Sequence, residues 1–219
     1  MLTLEDIKSN EEVNIYITRA DESLLTLGYT DHSFSHVSRV AAISGYILKT
    51  LEYPERDVEL ARIAGYLHDI GNLINRDNHS LSGAVMAFRL LEKMGFSAED
   101  VATITTAIGN HDEGTGVPVN HVCAALILAD KSDVRRSRVR NKDKAAFDIH
   151  DRVNYSVKRS VLKINDEHTI VKLKLTVDTK YGSVMDYFEI FLGRMVMCRK
   201  AAEQLGLQFR LIINEQQLI

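Results

Sequence analysis

Residues 54–72 read Pro54-Glu-Arg-Asp-Val-Glu-Leu-Ala-Arg-Ile-Ala-Gly-Tyr-Leu-His-Asp-Ile-Gly-Asn72. The proline has the fixed φ that suits the first turn of a helix, and Leu60, Ala61, Ala64 and Leu67 then recur at the spacing of one helical face. The pattern predicts a helix that ends at Gly71, with His68 and Asp69 side by side at its terminus. An imidazole next to a carboxylate on an otherwise apolar element is a metal-seeking pair, and the rest of the chain supplies more of the same chemistry.

Upstream, Asp31 is expected to cap a helix in which His36, Val37, Val40, Ala41, Ser44, Ile47, Leu48 and Leu51 fall at helical spacing, so His36 lies on the inward face. Ser9 and Glu12 have the capping-box spacing for an earlier helix that stops before Gly28. Downstream, Asn78 is expected to cap a helix that begins with His79 and runs through Met94 to Gly95. Ser97 opens the next, which leads into Gly109-Asn110-His111-Asp112, and a sixth starts near Pro118 and contains Asp130.

Beyond Arg159 the periodicity changes. Residues 160–164 and 169–177 are rich in β-branched side chains and are joined by Asn165-Asp166-Glu167-His168, a hairpin turn. A long helix over about residues 184–205 and a third strand over 209–213 complete a β-β-α-β unit. The expected fold is mainly α: a helical bundle over residues 1–159, then a small appendage over 160–219 with a three-stranded antiparallel sheet, packed on the same core. Val184, Phe188, Phe191, Met195 and Cys198 form the stripe that covers the sheet, and a sheet edge or the remainder of the stripe is available to a homodimer.

The 219 residues, 45% apolar and 26% charged, have the balance of an ordinary globular chain. A net charge of −3 gives no overall attraction to nucleic acid or to an anionic membrane, so phosphate recognition has to come from a local patch. The longest apolar run, residues 122–129, is far short of the roughly 20 that a membrane-spanning helix needs. Cys123 and Cys198 read as two buried thiols of a reducing compartment, and residues 1–10 lack the apolar centre of a signal peptide; the expectation is a cytoplasmic protein.

Burying four imidazoles and three carboxylates in one helical core costs several kcal/mol for each uncompensated charge unless cations neutralise them. The candidates His36, His68, Asp69, His79, His111, Asp112 and Asp130 are all nitrogen or oxygen donors, a set suited to Mn, Fe, Ni, Zn, Co or Mg and too large for one tetrahedral site. Past Asp130 comes a basic stretch in which Lys131 and Arg135 would share a face if the helix continued, and there could clamp a substrate phosphate; a solvated helix end is the alternative. His32, four residues before His36, is read as lying at the edge of the site or on the surface. His121, His150 and His168 are read as structural or exposed.

The series resembles the HD-domain metal-dependent phosphohydrolases over about residues 30–140. His36-Val-Ser-Arg-Val is similar to the first-histidine motif of that superfamily, His68-Asp69-Ile70-Gly71 to its namesake, and Asp130 in Ile127-Leu128-Ala129-Asp130 to its final aspartate. His79 and His111-Asp112-Glu113 resemble the branch that carries extra histidines for a second metal, represented by the HD-GYP phosphodiesterases, with Asp112 in place of a second histidine. The Gly-Tyr-Pro signature is absent; Gly114-Thr115-Gly116-Val117-Pro118 stands there, and Asn72 stands where related motifs often have lysine.

The resemblance implies an HD-type bundle with two divalent metal ions, one held by His36, His68, Asp69 and Asp130 and the other by Asp69, His79, His111 and Asp112. It implies a phosphohydrolase that uses a metal-activated water on a small phosphorylated substrate, a phosphomonoester, phosphodiester or nucleotide, with Asp69 and Asp130 as the catalytic carboxylates. The competing reading is a metal-stabilised regulatory or ligand-binding module with little turnover.

Overall fold

A computed structural model describes residues 2–144 and 147–219; Met1, at the head of the amino-terminal segment, and residues 145 and 146, inside the stretch read as helical, lie outside the described residues. The described helices are α1 (Leu4–Ser9), α2 (Glu11–Thr26), α3 (Phe34–Thr50), α4 (Glu55–Leu67), α5 (His79–Met94), α6 (Ala98–Gly109), α7 (His121–Lys131), α8 (Ile149–Ser156) and α9 (Val184–Gln204). Strands β1 (Val157–Ile164), β2 (Ile170–Val177), β3 (Gln208–Ile213) and β4 (Gln216–Gln217) form one sheet in that order. Among the described residues no helix is long and apolar enough to cross a membrane.

The apolar run Val122 to Ala129 forms most of α7, and every residue in it is fully buried. A helix that is apolar all round needs neighbours on all sides. Here α3, α4, α6 and α9 surround it. Asp130 and Lys131, the last two residues of α7, are therefore carried into the middle of the molecule.

Several helix ends differ from the reading of the sequence. Ser9 closes α1, and Asn10 caps α2 by accepting from the Val13 amide at 3.1 Å. Ser33 rather than Asp31 caps α3, because the Asp31 carboxylate is paired with Arg140. Asn78 precedes α5 in a left-handed conformation with φ 58° and makes no side-chain cap bond. Ser97 caps α6 as expected.

Helix α4 stops at Leu67, short of Gly71, and a 3-10 turn over Ile70–Leu73 follows. The glycine is needed for another reason: a Cβ on Gly71 would collide with the His79 carbonyl and the Gly83 amide of α5. That close approach brings the start of α5, and so His79, against the end of α4.

The sheet has four strands rather than the three expected, and it is mixed rather than antiparallel. β1 and β2 are an antiparallel hairpin, but β2 and β3 are parallel, with Val171 opposite Phe209. Helix α9 is the cause, because a helical crossover returns the chain to the end of the sheet where the preceding strand began. Asn214 and Glu215, at φ 49° and 68°, then make a two-residue turn into β4. The division expected at residues 159 and 160 falls inside β1. Helix α9 packs on β3 and also on α7 and α8, which ties the sheet to the helical core.

Candidate metal centre

Five helices deliver the candidate ligands to one place. His36 comes from the first turn of α3, His68 and Asp69 from just beyond α4, His79 from the first residue of α5, His111 and Asp112 from just beyond α6, and Asp130 from the end of α7. The Nε2 atoms of His36 and His68 are 3.3 Å apart. Asp69 Oδ2 lies 3.4 Å from the first and 3.1 Å from the second, and Asp130 Oδ1 lies 3.5 and 3.7 Å from them. Donor atoms about 2.0–2.2 Å from a shared ion stand roughly 3–3.5 Å from one another, so this spacing fits a common cation.

Beside that group, the Nε2 atoms of His79 and His111 are 3.2 Å apart, and Asp69 Oδ1 lies 3.5 Å from His79 Nε2. Asp69 thus turns one oxygen toward each histidine pair. Donor atoms of His36, His68 and Asp130 lie within 4.8 Å of one another, and so do those of His68, Asp69 and His111. Asp112 is more peripheral: its Oδ1 is 4.0 Å from His79 Nε2, and its side chain is about one-third exposed, at 30%.

The orientation of the rings follows from their other nitrogens. His68 Nδ1 is 2.9 Å from the Gly65 carbonyl, His79 Nδ1 3.1 Å from that of Arg76, and His111 Nδ1 2.7 Å from that of Ile108, each three residues back. His36 Nδ1 is 2.8 Å from Asp133 Oδ2. These partners only accept, so each Nδ1 is assigned the proton and a neutral ring presents its Nε2 lone pair to the centre. Two facing pairs of lone pairs at hydrogen-bond distance repel unless a cation or a proton lies between them. The donor set therefore fits divalent metal.

Electrostatics separates the two pairs. Burial resists charge on His68, but the charges of Asp69 and Asp130 and their hydrogen bonds outweigh it and carry the ring up to about 10, so a proton can occupy the first pair. His111 is driven the other way, to about 3, by burial and then by the positive charges of His68 and Lys131. Burial also lowers His79. Burial thus disfavours a proton on either ring of the second pair. Burial alone would raise Asp69 and Asp130, yet their cationic neighbours, His68 and Lys131 foremost, hold both well below the usual carboxylate range.

A cavity of about 390 Å³ opens onto Asp69, His79, His111 and Asp130. Lys131 lines it and is almost wholly buried, with Nζ 2.7 Å from Asp130 Oδ2 and 3.1 Å from Glu113 Oε2. The expectation for Arg135 fails because α7 ends at Lys131 and the chain turns extended. Arg135 does not line the cavity; it donates to Asp133 Oδ1 at 2.8 Å and to Ser137 and Ser35. Arg76, Arg138 and Arg194 reach the cavity instead. Arg76 donates to Asn72 Oδ1 at 3.2 Å, so a guanidinium stands beside Asn72.

His32 lines the cavity, with its ring centroid 5.4 Å from that of His36, and exposed His150 lies on the same cavity wall. Asp133 was not singled out in the sequence although it is fully buried and holds His36; its only signal was a second carboxylate three residues after Asp130. Arg138 was visible merely as part of a basic stretch. Arg194, on the apolar-striped α9, had no signal at all.

The HD domain family matches residues 33–189 of this chain, a stretch that contains all seven candidate ligands. An uncharacterized protein of Methanocaldococcus jannaschii is 28% identical over 190 residues, covering 76% of this chain and 73% of the relative. HD domains bind divalent metals, and most are metal-dependent hydrolases of the phosphohydrolase superfamily. On a match of that extent, running through His36, the His68-Asp69 pair and Asp130, this chain belongs to the HD domain family.

Proposed function

We propose that this protein hydrolyses a phosphate ester of a small molecule at a centre for two divalent ions. His36, His68, Asp69 and Asp130 would hold one, and Asp69, His79, His111 and Asp112 the other. When bound, the ions supply an activated water and neutralise charge on the phosphate. The observation that carries the reading is the double pair of Nε2 atoms, each fixed from behind at Nδ1 and facing its mate at 3.2–3.3 Å.

The protein's own groups do the rest. Asp69 offers one oxygen to each half of the centre, and Asn72 steadies it by donating to Oδ1 at 3.0 Å. Asp130 offers Oδ1 to the histidines while Lys131 holds its Oδ2, which fixes the carboxylate plane. The cavity of about 390 Å³ suits a small substrate and not a polymer, and Lys131, Arg76 and Arg138 place cations among its carboxylates. Arg76 also weakens the case for a module without turnover, since a cation is present despite Asn72. A cytoplasmic setting agrees with the two thiols, which burial pushes up to about 12 and keeps unreactive.

Elemental analysis of protein purified without chelator, followed by a phosphate-ester screen of wild type and Asp69→Ala, tests the reading. Bound transition metal and hydrolysis lost in the variant are expected. Equal activity in the two proteins would overturn it.

A further inference from the structure

We propose that Arg194, supplied by the C-terminal helix α9, is the residue that anchors an anionic oxygen of the substrate in the metal cavity. The inference rests on the phosphohydrolase reading and adds a specificity residue to it. Arg194 lies five positions beyond the end of the HD domain match, at residue 189.

The geometry prepares the guanidinium for a ligand. Its Nε donates to Glu113 Oε1 at 2.8 Å, and its carbon sits 4.2 Å from the centroid of the Phe191 ring. One edge is thus tied and one face is covered. No described residue accepts from Nη1 or Nη2, and both Arg194 and Phe191 line the cavity with Asp69 and Asp130. An arginine held in this way presents a preorganised pair of donors to a planar or tetrahedral oxyanion.

Glu113 ties that donor to the metal wall. Its Oε2 pairs with Lys131 Nζ at 3.1 Å, and Lys131 pairs with Asp130 at 2.7 Å, so an unbroken series of ion pairs runs from α9 to a candidate ligand. The lining balances in the same sense. Four cations, Arg76, Lys131, Arg138 and Arg194, face six carboxylates, Asp69, Asp112, Glu113, Asp130, Asp148 and Asp151. Two divalent ions would turn that deficit of two charges into an excess of two, which matches a phosphomonoester dianion.

Titration of metal-loaded full-length protein with inorganic phosphate, read by calorimetry beside metal content, tests the role. Arg194→Met keeps the aliphatic stem over Phe191 and removes the donors; it should bind phosphate about tenfold or more weakly with metal content unchanged. Arg199→Met, an exposed position on the same helix, should match wild type. Unchanged phosphate affinity in Arg194→Met overturns the proposal. So does loss of metal in Arg194→Met equal to that in Glu113→Gln, since Arg194 would then only prop Glu113. Wild type that binds metal but neither phosphate nor any phosphate ester would overturn the phosphohydrolase reading first, and this inference with it.

Discussion

The two histidine pairs of the centre are alike in distance and unlike in support. His36 and His68 share Asp69 and Asp130, and His36 is backed by a buried carboxylate, Asp133, which Arg39 and Arg135 approach to 3.0 and 2.8 Å. His79 and His111 have Asp69 beside them, and the next carboxylate near His79 is the partly exposed Asp112, at 4.0 Å. The carboxylates favour a proton on His68 of the first pair, whereas burial disfavours one on the second. The comparison teaches that carboxylates, and not imidazoles, decide how firmly each half is built.

The largest expected effect breaks both halves at once. Among the described residues, Asp69 is the carboxylate that faces both pairs, and Asp69→Ala should lower kcat/KM by about a thousandfold or more. A parallel metal analysis should find it depleted of both ions. His68→Ala and His79→Ala then separate the halves: the first should empty the firmer half, while the second should leave about one equivalent of metal and a smaller drop in activity. Equal metal loss in these two variants would erase the distinction between the pairs.

Asp133→Asn touches no candidate metal ion and tests the support of the first half. Loss of the carboxylate behind His36 should cost about 10–100-fold in metal affinity, measured by chelator competition, with little change at the second half. Stability should follow occupancy, because an ion that binds only the folded chain raises Tm with its concentration.

The smallest effect lies far from the centre, where Arg56 donates to both oxygens of Asp100 at 3.1 and 2.5 Å. These bonds depress Asp100 in the folded state below its ordinary value of 3.8. Its contribution is therefore present above that value and lost as pH falls through the lower folded value. Asp100→Asn should remove about 1 kcal/mol or less at neutral pH and flatten the acid limb of a denaturation series, an effect that salt should shrink.

The candidate cluster was legible because metal chemistry constrains residue type and a helix constrains spacing. His36 fell on the inward face of a periodic stretch, and His68, Asp69 and Asp130 fell at the ends of two others. Helix caps were less legible: Ser9 and Asp31 have the right chemistry, but Asn10 and Ser33 stood closer to where tertiary packing started each helix. The direction of β3 was hidden for a related reason. Strand propensity is local, but parallel pairing depends on the path of α9 across the sheet.

The sequence by itself determined that this chain is mainly helical, that it carries a series of acidic and imidazole groups suited to metal, and that a short unit of strands and a helix follows. Tertiary structure alone decided the second tier of the site. Asp133 behind His36, Arg76 near Asn72, and Arg194 through Glu113 and Lys131 to Asp130 are contacts between charged groups on separate elements. Such pairing leaves no periodic trace, because a charge on a helix surface reads as solvated until another helix buries it.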